Sequence, residues 1–240
     1  MPNNPYIDLV KEHEKILTQE TEIYWRKWRW ADFFGNNNDR VLEIGTGLGN
    51  FFSKQVRENS GKNYIGMEIR FKRLFQTAEK CLGNKATYSE NWQYDSLKRP
   101  HPNPLLKGEG ETVMNNFILL KEFGEKVWEL FWEWELSETY IFFPDPWARK
   151  KSQLKNRLLQ KEFLNNLYTV TKQGGKLVIK TDHRWYFDFL LEELENTDWK
   201  QTYISYDFEN EPEFQNAETT EFQQLFRGQD IQINHIELEK

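Results

Sequence analysis

The segment Val41-Leu42-Glu43-Ile44-Gly45-Thr46-Gly47-Leu48-Gly49 restricts what this chain can fold into more than any other stretch. An apolar run that ends in alternating glycines and leads into a helix-forming stretch reads as strand, tight loop and helix. Glycine tolerates positive φ, and without a Cβ its backbone N–H groups can approach a ligand closely. A helix is expected over 50–59, a second strand over 63–68, and a helix over about 70–82 with Leu74, Phe75, Ala78 and Leu82 on one side. That order is the signature of a parallel sheet with crossover helices. Downstream, strands are expected at 116–120, 139–143 and 176–180, and last strands near 200–206 and 229–238. Helices fit between them, through 135, over 153–171 and over 184–195. The expected fold is α/β and Rossmann-like, a seven-stranded, mostly parallel sheet with helices on both faces.

Two segments fall outside the alternation. Residues 7–34 read as a helix with Ile7, Val10, Ile16, Leu17, Ile23 and Tyr24 as its buried stripe, so residues 1–38 form an expected N-terminal helical extension to a domain over 39–240. Within it Tyr24-Trp25-Arg26-Lys27-Trp28-Arg29-Trp30 alternates aromatics and cations; packing on the sheet is the favoured reading over RNA contact. Residues 83–112, with Pro100, Pro102, Pro104, Gly108 and Gly110, read as a flexible insertion.

Net charge is −6, which at first argues against a nucleic-acid partner. Residues 188–240 carry 14 acidic and 3 basic side chains, a local −11, so residues 1–187 hold +5 and an anionic partner stays open. The single cysteine, Cys81, excludes a disulfide framework, and His13, His101, His183 and His235 are too dispersed for a metal site. No apolar run reaches transmembrane length and the N-terminus lacks a secretory pattern, so a cytoplasmic protein without membrane or metal is expected.

Two motifs carry chemistry. After the glycine loop, Glu68 lies 23 residues beyond Gly45 at the end of the second strand, where a carboxylate can accept from both hydroxyls of an adenosine ribose. Nicotinamide and S-adenosylmethionine enzymes share that arrangement. The spacing is G-x-G-x-G rather than G-x-G-x-x-G, and the acidic Glu43 suits a sulfonium better than a pyrophosphate. The glycines could also serve only a tight turn. The second motif is Phe143-Pro144-Asp145-Pro146-Trp147 followed by Arg149, Lys150, Lys151, Lys155 and Arg157. Asp145 falls at the carboxyl end of a strand, where open α/β sheets bind ligands, and the flanking prolines restrict its backbone. Trp147 offers a ring for packing or base stacking, and the basic run fits either phosphate contacts or a solvated surface.

Together with Lys180-Thr181-Asp182 and Thr220-Glu221-Phe222-Gln223, these motifs resemble those of the bacterial tRNA (guanine-N7-)-methyltransferase family, over roughly 39–82 and 116–236. The resemblance implies a class I S-adenosylmethionine-dependent methyltransferase that acts on guanosine 46 in the tRNA variable loop; monomer and homodimer both stay open. It assigns the cofactor pocket to Glu43, Gly45, Gly47, Gly49, Glu68 and Asp145, with Asp145 also at the reacting centre. Substrate contacts fall on Arg149, Lys150, Lys151, Lys155, Arg157, Asp182, Thr220, Glu221, Phe222 and Gln223. By local sequence Asp182 serves equally well as the N-cap of the helix near 184. The chain departs from the family at Phe123, where a polar residue is usual, at Arg149 for lysine, at Ser152 for histidine and at Gln223 for glutamate. These departures motivate the alternative of a weak or inactive RNA-binding paralogue, and a nicotinamide oxidoreductase fits the spacing less well. If 83–112 is an insertion, deleting 98–111 should leave cooperative urea unfolding and cofactor binding intact; loss of cooperativity would contradict it.

Overall fold

The structure is a computed structural model that describes residues 4–83, 115–147, 155–211, 220, 223, 229 and 231–240. The expected insertion lies outside the described residues except for Gly83.

Eight strands form one sheet: β1 (Ile16–Leu17), β2 (Arg40–Ile44), β3 (Asn63–Met67), β4 (Phe117–Leu120), β5 (Leu136–Phe142), β6 (Thr171–Thr181), β7 (Lys200–Ser205) and β8 (Asn234–Glu239). Their order is β1-β4-β3-β2-β5-β6-β8-β7. β1 to β6 pair in parallel, while β8 inserts antiparallel between β6 and β7. All seven expected strands are present and β1 adds an eighth at the edge. The central strands are buried on both faces and mostly apolar, with β4 wholly so (Phe117-Ile118-Leu119-Leu120), while β2 and β5 also bury Glu43, Ser137 and Thr139. Side chains alternate faces at period two. Val41, Tyr64, Phe117 and Leu119 therefore pack with α1 (Tyr6–Lys11), α4 (Asn50–Glu58) and α5 (Phe71–Cys81). Leu42, Ile65, Met67, Ile118 and Leu120 join the opposite layer with α6 (Val127–Leu130), α7 (Lys161–Val170) and α8 (Arg184–Leu194).

The single helix expected over 7–34 is instead α1, β1, α2 (Glu20–Tyr24) and α3 (Trp30–Phe34). Ile16 and Leu17 pair with Leu119 and Leu120, so their apolar character serves a sheet edge. Gly35, at φ 67, ends α3 in the left-handed conformation that glycine adopts without penalty. The aromatic–cation segment divides between core and surface. Trp30 is fully buried, stacks on Phe131 and donates from Nε1 to the Leu130 carbonyl at 3.0 Å. Trp25 and Trp28 stay exposed, Arg29 lies over the Trp25 ring, and Trp28 stacks on Trp132 at 4.1 Å.

Other boundaries shift for identifiable reasons. The helix expected through 135 stops at Leu130, after which the chain must return to the start of β5. The helix expected from 153 starts at Lys161, and β6 begins at Thr171, so Gly174-Gly175 lies inside a strand whose register against β5 shifts there. Among the described residues, no helix is long and apolar enough to cross a membrane, and no group of three or more His, Cys, Asp or Glu could hold a metal ion. Trp30→Ala should destabilise the protein by about 3–5 kcal/mol, because it removes a large buried ring and leaves the Leu130 carbonyl without its indole donor. Urea unfolding should show this as a lower midpoint at unchanged slope.

Candidate functional site

Strand order reverses between β2 and β5. The chain runs from β2 outward through β3 to β4, then returns to pair β5 on the other side of β2. Such a switch point leaves a crevice beyond the carboxyl ends of the strands. A cavity of about 610 Å³ occupies it, lined by the glycine loop, the ends of β3 and β4, and residues 142–145, 147, 155, 156, 158 and 220.

The glycine loop is fastened to β3 by its own backbone. Gly45 and Thr46 donate their N–H groups to the Met67 carbonyl at 2.8 and 3.2 Å. Gly45, Gly47 and Gly49 have φ of 81, 57 and 76, so all three glycines are required by conformation. Gly49 also packs closely: a Cβ there would lie 2.3 Å from Thr77 Oγ1. Glu68 is buried and grips two loops, accepting from Gly47 N–H at 3.1 Å and Arg70 N–H at 2.9 Å. Its oxygens keep lone pairs beyond those two bonds, enough for a hydroxylated ligand. The Thr46 hydroxyl, in the cavity wall, is buried without a hydrogen-bond partner among the described residues, a group that a ligand would satisfy. Glu43 is buried in the same wall.

A third carboxylate, Glu122, was missed by the sequence reading, which placed Phe123 at this point. Glu122 is buried in the wall and accepts from Phe123 N–H at 2.8 Å and Tyr24 O–H at 3.1 Å. Burial, then the Glu122 carboxylate, push the Tyr24 hydroxyl pKa up, so it remains a donor. The signal for Glu122 was its position just past a buried parallel strand. Phe123 itself is 55% exposed and lines the cavity with Ile69 and Trp147, giving apolar surface suited to planar rings.

Asp145 is exposed and faces the cavity from the loop after β5. Phe143 and Trp147 on either side adopt φ of 53 and 48, strained for residues with bulky side chains. Among the bonds that hold this loop, Phe143 N–H donates to the Lys180 carbonyl at 2.8 Å and Arg157 Nε donates to the Pro146 carbonyl at 3.2 Å.

The remaining candidates separate. Lys155 and Thr220 line the cavity. Asp182 follows β6, next to β5, but is not among the wall residues; the N-cap of α8 is His183, without a side-chain cap, so the capping alternative is not what the structure shows. Gln223 is fully buried behind the wall: its Oε1 accepts from Thr220 N–H at 3.0 Å and Lys180 Nζ at 3.3 Å, and its Nε2 donates to Glu209 at 2.7 Å. Arg157 stacks among rings of α8 and is absent from the wall. Arg149, Lys150, Lys151, Ser152, Glu221 and Phe222 lie outside the described residues.

The cavity therefore combines a glycine loop, three buried carboxylates, apolar ring-sized surfaces and an exposed carboxylate on a strained loop. Among the described wall residues there is no histidine or cysteine to serve as base or nucleophile. That composition suits a cationic, nucleoside-bearing ligand.

Comparison with known proteins agrees with this geometry. The chain is 33% identical over 240 residues to a bifunctional glycosyltransferase/methyltransferase of Fusobacterium nucleatum, and it spans 33% of that relative's length and 99% of its own. It is 28% identical over its whole length to a tRNA (guanine-N(7)-)-methyltransferase of Bacillus licheniformis, of which it covers 98%. Among solved structures, the 16S rRNA methyltransferase KamB superposes with a TM-score of 0.55 at 15% identity, covering 93% of this chain and 94% of that one. An antibiotic-related methyltransferase gives 0.55 at 14% identity, covering 88% and 91%. These likenesses show the fold, that of class I methyltransferases. A family described as putative methyltransferases matches residues 37–236, through both the glycine loop and the Asp145 loop, and this chain belongs to that family.

Proposed function

We propose that this chain is an S-adenosylmethionine-dependent tRNA (guanine-N7-)-methyltransferase, acting by resemblance on guanosine 46 of the variable loop. The observation that carries the reading is a single cavity bounded by both the glycine loop with Glu68 and the Asp145 loop. The activity named for the Bacillus relative supports the substrate class.

The residues fit the cofactor. Glu68 would hold its ribose, the Thr46 hydroxyl one of its polar atoms, and Ile69 and Phe123 would flank its adenine. Glu43 and Glu122 would complement its positive charge. When bound, S-adenosylmethionine supplies an electrophilic methyl group on a sulfonium.

Guanine N7 presents a free lone pair and no proton, so the protein needs no general base. Its task is to hold the base in line, and positioning can supply roughly 7–11 kcal/mol in favourable cases. Guanine becomes cationic as it is methylated, and the Asp145 carboxylate would stabilise that charge and accept from guanine N1–H and the N2 amine. Lys155 would meet phosphate and Asp182 would support base recognition. The departures at 123 and 223 are less severe in three dimensions, because Glu122 gives the wall a carboxylate and Gln223 sits behind it.

Unmodified tRNA incubated with labelled S-adenosylmethionine should yield labelled 7-methylguanosine on nucleoside analysis. Absence of that product together with little S-adenosylmethionine binding by calorimetry would favour the inactive paralogue. Asp145→Ala should lower kcat by about 100-fold or more while the circular dichroism spectrum stays unchanged, since an electrostatic contact to developing charge is lost. Near-normal turnover would remove Asp145 from its assigned role. Glu68→Ala should weaken S-adenosylmethionine binding by roughly 10–100-fold, measured by calorimetry, because one carboxylate serves both the ligand and the Gly47 and Arg70 amides.

A further inference from the structure

Arg157 closes a basic run whose expected use is phosphate contact, yet its surroundings fit a different task. The guanidinium carbon lies 4.6 Å from the ring centroid of Trp185 and 4.6 Å from that of Phe189, with Tyr186 at 5.8 Å. All three rings belong to α8. Its Nε donates to the Pro146 carbonyl at 3.2 Å, in the loop that carries Asp145. The neighbouring backbone is anchored to the same helix, with Leu159 N–H donating to the Tyr186 hydroxyl at 3.2 Å. Neighbours Lys155, Asn156 and Leu158 line the cavity, whereas Arg157 does not.

We propose that Arg157 is a positioning residue that ties the Asp145 loop to α8, the helix that begins just after Asp182. It sets the relation between the two loops that leave the adjacent strands β5 and β6. The inference rests on the methyltransferase reading of the site. Chemistry favours it over phosphate binding for two reasons. The guanidinium packs on the rings of Trp185 and Phe189, and its Nε–H is already used by the Pro146 carbonyl. The loop it holds also contains the strained residues Phe143 and Trp147, so it needs external support to keep one geometry. Lysine could replace arginine as a phosphate contact but not here, because it has neither a planar face to stack nor a fixed Nε–H.

The test compares Arg157→Lys, Arg157→Ala and Phe189→Leu with the unaltered enzyme. A positioning role predicts that the lysine and alanine variants both lose about 10–100-fold in kcat, with KM for tRNA within about two-fold. The salt dependence of tRNA binding should be unchanged, and Phe189→Leu, which removes a stacking face and no charge, should lower kcat in the same sense. The proposal is overturned if Arg157→Lys keeps wild-type kcat while Arg157→Ala raises KM and reduces the salt slope by about one ion, the signature of a phosphate contact. Should the alanine variant fail to fold, the lysine and leucine variants decide alone. Absence of 7-methylguanosine from the unaltered enzyme would count against the functional reading only. Hydrogen exchange then tests Arg157 separately: faster exchange over 143–147 in Arg157→Lys supports the tie, and unchanged exchange refutes it.

Discussion

The reversal of strand order between β2 and β5 is the constraint on which the site depends. On one side of that boundary the chain leaves β2 toward β3, and on the other it leaves β5 toward β6, so the loops above the boundary diverge and no crossover helix fills the gap. The two loops that face the gap are fastened outward, away from each other. Gly45 and Thr46 bond to Met67 at the end of β3, and Phe143 bonds to Lys180 near the end of β6. The cavity is kept open because each wall is anchored to the strand behind it. Glu68 then couples the glycine loop to the start of α5 through Gly47 and Arg70, so the residue suited to hold a ribose also holds the wall around it.

How much of this could be read in advance depended on whether a residue's role was set locally. The glycine loop, Glu68 and Asp145 were legible because conformation and strand-end position, both local properties, mark them. The central strands were legible because burial on two faces favours runs of apolar residues, such as Phe117-Ile118-Leu119-Leu120 and Leu177-Val178-Ile179. The N-terminal segment was not. Ile16, Leu17 and Ile23 have spacing compatible with a helix, but the first two are fixed by pairing with Leu119 and Leu120, about a hundred residues away. Glu122 and Phe123 differ by one position, and only the orientation of the backbone after β4 decides which one is buried. Gln223 and Arg157 carry polar groups that a sequence assigns to ligands by default; their partners, Lys180, Glu209 and the rings of α8, come from distant segments.

The aromatic content also has more than one role. Trp30, Phe131 and Tyr64 fill the two layers against the sheet, as the composition suggests. Trp25, Trp28 and Trp132 instead remain at the surface, where cations and ring stacking cover part of their area: Lys27 lies 5.4 Å from the Trp132 centroid and Arg29 4.0 Å from that of Trp25. Alternation of cations with aromatics over 24–30 therefore marks local self-coverage of exposed rings.

Charge and strain meet at the Asp145 loop. A left-handed conformation at a bulky residue costs about 1–3 kcal/mol, and this loop has two such residues within five positions. Prolines at 144 and 146 reduce what the loop can do when unfolded, which offsets part of that cost without adding a contact. They also remove two backbone donors, and among the described residues the loop is held by the Lys180 carbonyl on β6 and by Arg157. Among the described residues, the exposed Asp145 carboxylate is placed by the backbone of this loop and not by side-chain partners of its own. Such a carboxylate would be free to meet a base, the arrangement that the proposed charge stabilisation calls for.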